Sequence, residues 1–309
     1  MIKKILIIIL IICQVSLAQI QKLEEEFIQL AQKASKYSVA IESDKAIGSG
    51  IVIFPDAILT NHHVIKYHKK RLRIITHDSK VINADSVFWD KKSDLAIIFV
   101  SDLNLIPGQI KDTNKLKRGQ FIFSLGNQYG LGKKGELSFS YGIISGFDRS
   151  IKSGTIKNYS YYEELIQTDL PIVPGNSGGG LFDLDGNIVG INCLTEHGSK
   201  KIGFAIPINT RTKLIIKNLY KKKKIEYGFL GINFKNTAVG AKVTKIIPKT
   251  AASQCDIKPG DIILKYRNSR ILNRQELSKK IKATPKGERV KIQLLRNHKI
   301  KIVEIFIGD

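Results

Sequence analysis

Apolar residues near the start of the chain form one short, unbroken run. It extends from Ile5 to Ile12, after Lys3 and Lys4, and is followed by Ser16-Leu17-Ala18. A charged start, a short apolar stretch and small residues at its end are typical of an export signal, so we predict a signal peptide over residues 1–18 that is cleaved after Ala18. The run is shorter than the ~20 apolar residues of a membrane span, and an uncleaved N-terminal membrane anchor is the alternative.

The next apolar positions follow helical spacing and then change to short extended runs. Leu23, Phe27, Leu30 and Ala34 predict an amphipathic helix within residues 19–37. Beyond Ser38, runs rich in Ile, Val and Phe alternate with Gly, Asn and Asp, which predicts many short strands in a barrel or sandwich. The predicted strands cover residues 39–41, 50–54, 72–76, 95–100, 121–125, 142–145, 165–168, 179–182, 188–194 and 201–206, and a closing helix covers 209–220.

Charge is unevenly distributed along the chain. The 309 residues carry 50 basic and 27 acidic side chains, a net charge of +23, and residues 221–309 alone carry 22 basic and 7 acidic ones. The run Lys221–Lys224 indicates a solvated linker over residues 221–226 between two folded units, 38–220 and 227–309. An exported protein does not meet its own genome, so we predict no nucleic-acid partner. Peripheral contact with an anionic membrane surface and a merely solvated basic surface are the remaining interpretations.

The chain contains only three cysteines, Cys13, Cys193 and Cys255, which excludes a disulfide-stapled scaffold and a cysteine-based zinc module. Once the signal is removed the other two fall in different units, and we expect free thiols, with a disulfide between them as the alternative. A zinc site formed by His62, His63 and His68 would lack the Glu that lies between helical histidines in such sites. We therefore predict no metal and no cofactor.

Three short motifs carry reactive side chains, and each has a structural interpretation when taken alone. His63 lies in Thr60-Asn61-His62-His63-Val64, where a lone histidine is often structural. Asp94 precedes a buried strand, where a carboxylate often serves a turn. Ser177 lies in the glycine-rich turn 175–180, which could also cradle a phosphate. Their order, His then Asp then Ser, is that of chymotrypsin-type proteases.

Taken together, these motifs resemble the HtrA/Deg family of trypsin-like serine proteases, from Lys36 to the C-terminus. The supporting motifs are Gly48-Ser49-Gly50, Ser124-Leu125-Gly126-Asn127, Tyr129-Gly130-Leu131, Gln167-Thr168-Asp169 and Gly203-Phe204-Ala205-Ile206-Pro207. The resemblance implies a mainly β fold, a chymotrypsin-like double six-stranded β-barrel over 38–220 followed by a PDZ domain over 227–309. It also implies a homotrimer assembled through the N-terminal segment.

The chemistry of these residue types agrees with the resemblance. A serine hydroxyl is a weak nucleophile, so Ser177 needs His63 as a general base, while Asp94 orients the imidazole. Glycines let the chain turn tightly, so the N–H groups of Gly175 and Ser177 can form an oxyanion hole. His62 competes for the role of base, but Thr-x-x-His is the trypsin-like spacing, and we assign His63.

Two further features concern specificity and regulation. Pro171, Ile172 and Val173 precede the serine loop without an acidic residue, which predicts a small apolar S1 pocket that selects small aliphatic residues. Asp169 nearby is interpreted as structural. By resemblance, residues 149–164 are the family's sensor loop, with Arg149 as a regulatory residue at its start.

The C-terminal unit resembles a PDZ domain. Phe229-Leu230-Gly231-Ile232 is similar to the loop that binds a peptide carboxylate. Asn273 to Glu276 predicts a helix cap, after which Leu277 and Ile281 would face the peptide groove; a place in the core is the alternative. The expected partners are therefore C-terminal peptides and unfolded protein substrates.

The sequence thus predicts a periplasmic or secreted, ATP-independent serine endopeptidase that acts on unfolded or damaged proteins. A catalytically silent, PDZ-containing peptide-binding chaperone or scaffold is the alternative. The complete set of His63, Asp94 and Ser177 argues for the enzyme.

Overall fold

The computed structural model describes the backbone of residues 2–43, 45–66, 72–101, 106–155, 158–195 and 202–308. Side chains are described for the same residues outside 2–18, 152–161 and 194–195. The mainly β fold is confirmed, and the described helices are α1 (Ile2–Ser35), α2 (His62–Ile65), α3 (Thr210–Tyr220) and α4 (Arg274–Lys282). None of the described helices is long and apolar enough to cross a membrane.

The first β module contains seven strands in the order β5-β4-β1-β2-β3-β7-β6, whereas the prediction was six. The sequence missed β3, which follows the Pro55-Asp56 turn, and the edge strands β5 and β6. Both edge strands are largely exposed or half-buried, so they lack the continuous apolar run of a buried strand. The strands are β1 (Ser38–Ser43), β2 (Ile47–Phe54), β3 (Ala57–Asn61), β4 (Leu72–Ile75), β5 (Val81–Asn83), β6 (Ser86–Asp90) and β7 (Leu95–Phe99).

The second module is a closed barrel of six strands, as predicted, in the order β10-β13-β12-β11-β8-β9. Two of its strands are much longer than predicted, because the described residues within 149–164, a stretch expected to be a loop, lie in the paired strands β9 and β10. The strands are β8 (Phe121–Gly126), β9 (Ser138–Thr155), β10 (Asn158–Thr168), β11 (Gly180–Phe182), β12 (Ile188–Thr195) and β13 (Gly203–Pro207).

The C-terminal unit is a separate sheet with its own core. Its order is β14-β15-β16-β18-β19, with the short β17 paired to β16, and α4 packs beside β14 and β15. The predicted cap of α4 is confirmed, since Asn273 Oδ1 accepts the Glu276 N–H at 2.9 Å. The strands are β14 (Ile232–Thr237), β15 (Gly240–Ile246), β16 (Ile262–Tyr266), β17 (Ser269–Arg270), β18 (Arg289–Arg296) and β19 (Lys299–Phe306).

Cys193 and Cys255 are not joined by a disulfide, as expected. Helix α3, whose N-cap Asn209 accepts the Thr212 N–H at 2.9 Å, buries Ile215, Ile216 and Leu219 in the core of the first module. The predicted closing helix is therefore present. Its apolar face stabilises the junction at which the chain leaves the two β modules.

A buried cluster of charges joins the C-terminal unit to β10. Arg267 donates two hydrogen bonds to Glu164, both 3.1 Å long, and one of 2.8 Å to Glu288. Lys280 Nζ lies 3.6 Å from Glu163 Oε1. Burial raises the pKa of Glu164, but the charges of Arg267 and Arg211 outweigh it and hold that pKa below its usual value. Burial raises the pKa of Glu288, because Arg267 offsets it only in part.

We expect Arg267→Met to destabilise the protein by about 3–5 kcal/mol at neutral pH, since it leaves two buried carboxylates without their cation. Glu164 has a lowered folded-state pKa, so its stabilising contribution is present above its ordinary value of 4.5 and is lost as the pH falls through the folded value. The difference between wild type and variant should therefore narrow on acidification. Urea unfolding between pH 7 and about pH 3, a range that extends below the ordinary pKa of Glu164, measures this difference.

The matched control is Arg270→Met, which changes an exposed arginine on the adjacent β17. It should alter the free energy of unfolding by less than about 0.5 kcal/mol. Equal losses in the two variants would contradict a special role for Arg267.

Candidate active site

His63 is positioned by the junction between β3 and α2. The extended backbone of Asn61 ends the strand, and His63 is the second residue of the short helix. Its Nδ1 lies 2.7 Å from Asp94 Oδ2, and its backbone N–H donates to Asp94 Oδ1 at 2.9 Å. Two hydrogen bonds to one carboxylate fix both the ring and the backbone, which leaves Nε2 as the nitrogen available to accept a proton.

Asp94 is held from several directions and is 5% exposed. It adopts a left-handed backbone (φ 56°) directly before β7, a conformation that Asp tolerates better than most residues. Its carbonyl accepts the His62 N–H at 3.0 Å and Asn61 Nδ2 at 3.1 Å. The Tyr162 hydroxyl, on β10 of the other module, donates to Asp94 Oδ2 at 2.8 Å. No sequence pattern indicates this role of Tyr162, because β10 becomes adjacent to Asp94 only in the folded chain.

The serine loop requires glycine at two positions. Gly175 has φ +97°, and a Cβ there would lie 1.9 Å from the Asn127 carbonyl oxygen. Gly178 has φ +83°, and a Cβ there would lie 2.2 Å from the Ser49 carbonyl oxygen. The positive φ and the short Cβ distance each exclude a side chain at these two positions. Glycine is therefore required because the backbone of the loop passes close to neighbouring backbone, and not because the loop must be flexible.

The N–H groups of Gly175 and Ser177 donate to no group among the described residues. They therefore remain available to an oxyanion. The half-buried Ser177 hydroxyl donates to the Cys193 carbonyl at 3.3 Å, and within the described part of the chain no hydrogen bond joins it to His63. The structure thus brings His63 and Asp94 together, while the serine must rotate its side chain to reach the base.

Ser49 is a residue whose role the sequence did not reveal, although its Gly-Ser-Gly motif was recognised. It is fully buried on β2, its N–H donates to the Ser177 carbonyl at 2.8 Å, and its hydroxyl donates to the Gly175 carbonyl at 2.6 Å. The same hydroxyl accepts the Asn127 N–H at 2.8 Å. One side chain therefore holds the serine loop against the first module.

His62 lies apart from the carboxylate of Asp94. Its ring stacks on Trp89, with centroids 6.1 Å apart, and burial lowers the pKa of its imidazole even though the nearby Asp94 charge opposes this. His68 lies outside the described residues. Among the residues that are described, no three His, Cys, Asp or Glu side chains are placed to hold a metal ion.

The predicted S1 and regulatory residues occupy different environments. Ile172 is 4% exposed and packs in the core of the second barrel, whereas Pro171 is exposed and Val173 half-buried. Arg149 lies on β9 and donates to Gln167 Oε1 at 2.8 Å. Asp169 accepts the Ile143 N–H at 2.7 Å, a contact that fits the structural role expected for it.

The PDZ loop places Leu230 and Ile232 in the core and leaves Phe229 46% exposed. Gly231 has φ +79°, which provides the turn into β14. Leu277 and Ile281 pack in the core of the C-terminal unit, the alternative that the sequence left open, because their helical spacing directs them towards the apolar sheet.

A cavity of about 1150 Å³ lies between α4 and β14 on one side and both β modules and α3 on the other. From α4 it is lined by Arg274, Ser278 and Lys282, and from the peptidase side it reaches Lys92 and Asp94. β14 is an edge strand, so one row of its backbone groups has no strand partner within the described sheet. The cavity thus combines a strand edge with a basic wall.

Comparisons with known proteins agree with this architecture. A family model described as a trypsin-like peptidase domain matches residues 48–191, and a PDZ domain model matches residues 228–307. The chain is 33% identical over 279 residues to the periplasmic pH-dependent serine endoprotease DegQ of Escherichia coli K12, covering 84% of this chain and 59% of DegQ. It is also 33% identical to a probable periplasmic serine protease do/HhoA-like of Haemophilus influenzae, covering 82% of this chain and 56% of that protein.

Solved structures give a similar result. The serine endoprotease from Yersinia pestis matches with a TM-score of 0.59 and 29% identity, over 91% of this chain and 97% of that one. The HtrA-type protease AlgW, solved with a tripeptide, matches with a TM-score of 0.62 and 25% identity, over 91% of this chain and 96% of that one. The chain spans less than two thirds of the length of the curated relatives named above.

The two histidines should differ sharply when each is changed to alanine. Loss of the base from a catalytic triad lowers kcat on the order of a million-fold, so His63→Ala should abolish peptide hydrolysis. His62→Ala should retain most of it, because of the two histidines it is His63 whose ring hydrogen-bonds the Asp94 carboxylate. Steady-state hydrolysis by both purified variants measures this. Equal loss in both, with the circular dichroism of wild type, would contradict the assignment of His63.

Proposed function

Because the chain belongs to the HtrA/Deg family of trypsin-like serine proteases with a PDZ domain, we propose that it is an exported, ATP-independent serine endopeptidase of unfolded or damaged proteins. The observation that carries the proposal is the His63–Asp94 hydrogen bond beside a glycine-rich serine loop. Within the described residues, the Gly175 and Ser177 N–H groups of this loop have no hydrogen-bond acceptor. The proteolytic unit is residues 38–220 and the peptide-binding unit residues 227–309.

The proposed reaction is acyl transfer to water. Ser177 Oγ attacks the peptide carbonyl while His63 Nε2 accepts its proton, and Asp94 stabilises the resulting imidazolium. The N–H groups of Gly175 and Ser177 stabilise the oxyanion. His63 then gives its proton to the leaving amine, and a water molecule activated by the same base hydrolyses the acyl-enzyme.

The proposed location and assembly rest on the relatives and on α1. The named E. coli and H. influenzae relatives are periplasmic by name, and we propose export by a cleaved signal over residues 1–18. Helix α1 exposes Ile20, Leu23 and Ile28, at 63%, 53% and 44% of their surfaces. We propose that these exposed apolar side chains are buried between copies in the homotrimer that the family resemblance implies.

The enzyme and the silent chaperone differ in their dependence on Ser177. We expect wild-type protein to digest reduced casein without ATP and Ser177→Ala to leave it intact, because the hydroxyl is the proposed nucleophile. Mass spectrometry of the products should place most cleavages after Val, Ile, Ala or Leu. Persistent cleavage by Ser177→Ala would contradict the serine mechanism, and no cleavage by wild type would favour the chaperone.

The basic wall of the cavity predicts a preference among PDZ ligands. A peptide strand added to β14 would pass Arg274 and Lys282, so acidic residues upstream of an apolar C-terminus should strengthen binding. Salt screens exposed charges over ~10 Å at 0.1 M, so this advantage should shrink at high salt. Fluorescence titration of an acidic and a neutral peptide with the same C-terminus, in Ser177→Ala protein, measures it. Equal binding at every salt concentration would show that the basic wall has no part in ligand choice.

A further inference from the structure

The Asp94 carboxylate accepts hydrogen bonds from both β modules. Its Oδ1 accepts the His63 N–H at 2.9 Å from the first module. Its Oδ2 lies 2.7 Å from His63 Nδ1 and accepts the Tyr162 hydroxyl of β10 at 2.8 Å. Asp94 is 5% exposed, so little water is available to replace a lost donor. The Tyr162 hydroxyl is thus the contact by which the second module reaches the acid of the proposed triad.

An irregularity in β10 accompanies the placement of Tyr162. Tyr162 pairs with Ile151 and Leu165 with Arg149, so three steps along β10 oppose two along β9. The extra residue is a bulge, and Glu164 within it has φ 59°. Bulges bend a strand and redirect its side chains, and they are common beside active sites. Here the bulge immediately follows the residue that contacts Asp94.

The residues after Tyr162 are anchored by the C-terminal unit. Glu163 faces Lys280, and Glu164 receives the two hydrogen bonds from Arg267. The Tyr162 ring itself is partly buried against a core cluster to which both β modules contribute. The C-terminal unit holds the backbone that follows Tyr162, and core packing holds its ring. The hydroxyl therefore has little freedom to move away from the Asp94 carboxylate.

We propose that Tyr162 is a positioning residue of the triad, whose hydroxyl fixes the Asp94 carboxylate so that Oδ2 stays aligned with His63 Nδ1. This inference rests on the proposed function. A carboxylate that loses one of its hydrogen-bond donors is less restrained in rotation about its Cβ–Cγ bond. Because its negative charge is then less compensated, it interacts more strongly with the imidazolium. Tyr162 therefore acts on catalysis through Asp94 and not through the substrate.

The test is Tyr162→Phe in the full chain, which keeps the ring and removes the hydroxyl. Loss of a hydrogen bond to a charged group should lower kcat on the order of tenfold, with KM unchanged. The acid limb of the kcat/KM profile should move to higher pH, because the imidazolium is stabilised by a less fully satisfied carboxylate. In an Asp94→Asn background the same change should have no further effect on kcat.

Tyr220→Phe is the matched control. The Tyr220 hydroxyl also donates to an aspartate, Asp56, at 3.0 Å, but on an exposed surface outside the proposed triad. It should leave kcat and the pH profile as in wild type. If Tyr162→Phe also leaves both unchanged while wild-type activity depends on Ser177, the positioning role is wrong and the proposed function stands.

A measurement that needs no proteolysis separates the two proposals. A His63 Nδ1 proton bonded to Asp94 gives a proton NMR signal far downfield. Tyr162→Phe should move this signal further downfield, since Asp94 becomes a stronger acceptor, whereas Tyr220→Phe should not move it. A signal at the wild-type position in folded Tyr162→Phe would overturn the inference, whether or not the protein proves to be a protease.

Discussion

The proposed site depends on the contact between Ser49 and the serine loop. His63 and Asp94 belong to the first β module and Ser177 to the second, so neither module contains a complete site. Ser49, fully buried on β2, bonds the carbonyl groups of both Gly175 and Ser177, and the Thr60 hydroxyl bonds the Ser49 carbonyl at 2.7 Å. Thr60 lies three residues before His63. A short path of hydrogen bonds thus fixes the position of the base relative to the nucleophile. The Ser49 hydroxyl is the central element of this path.

Two further contacts shape the serine loop. At position 180 a Cβ would lie 2.1 Å from Cζ of the buried Phe182 ring, so the packed core favours glycine there. The side-chain amide of the buried Asn176 donates to the Pro171 carbonyl at 3.0 Å, within the loop itself. This part of the loop is therefore held by a hydrogen bond between neutral groups.

Electrostatics connect the PDZ domain to the peptidase domain. Arg267 reaches out of the PDZ sheet to a carboxylate on β10, and a second carboxylate from its own domain shares it. Desolvating three charged groups is costly, so such a cluster specifies one arrangement of the two domains more than it adds stability. The Lys280 side chain, only 6% exposed, forms an ion pair with Glu163, which also lies on β10. The strand that contacts the PDZ domain is therefore the strand that carries the Tyr162 hydroxyl to Asp94.

The sequence by itself determined the features that depend on local spacing and composition. Apolar runs predicted the six strands of the second module, which the family resemblance placed in a barrel. The predicted cap at Asn273 lies at the start of α4, because capping is a contact between near neighbours. The order of His63, Asp94 and Ser177 within their motifs was enough to indicate a serine protease. Edge strands such as β5 were missed, because an exposed strand is defined by its partner and not by its own apolar pattern.

Only the tertiary structure decided which distant residues meet. Tyr162 and Asp94 are 68 positions apart, and Ser49 and Gly175 are 126 apart. No periodicity within either segment encodes such a contact, since it depends on how two modules pack. The same reason explains Leu277 and Ile281, whose spacing marked an apolar helix face without showing which surface that face would cover. The pattern of a chain specifies what each element must bury, and packing selects the partner.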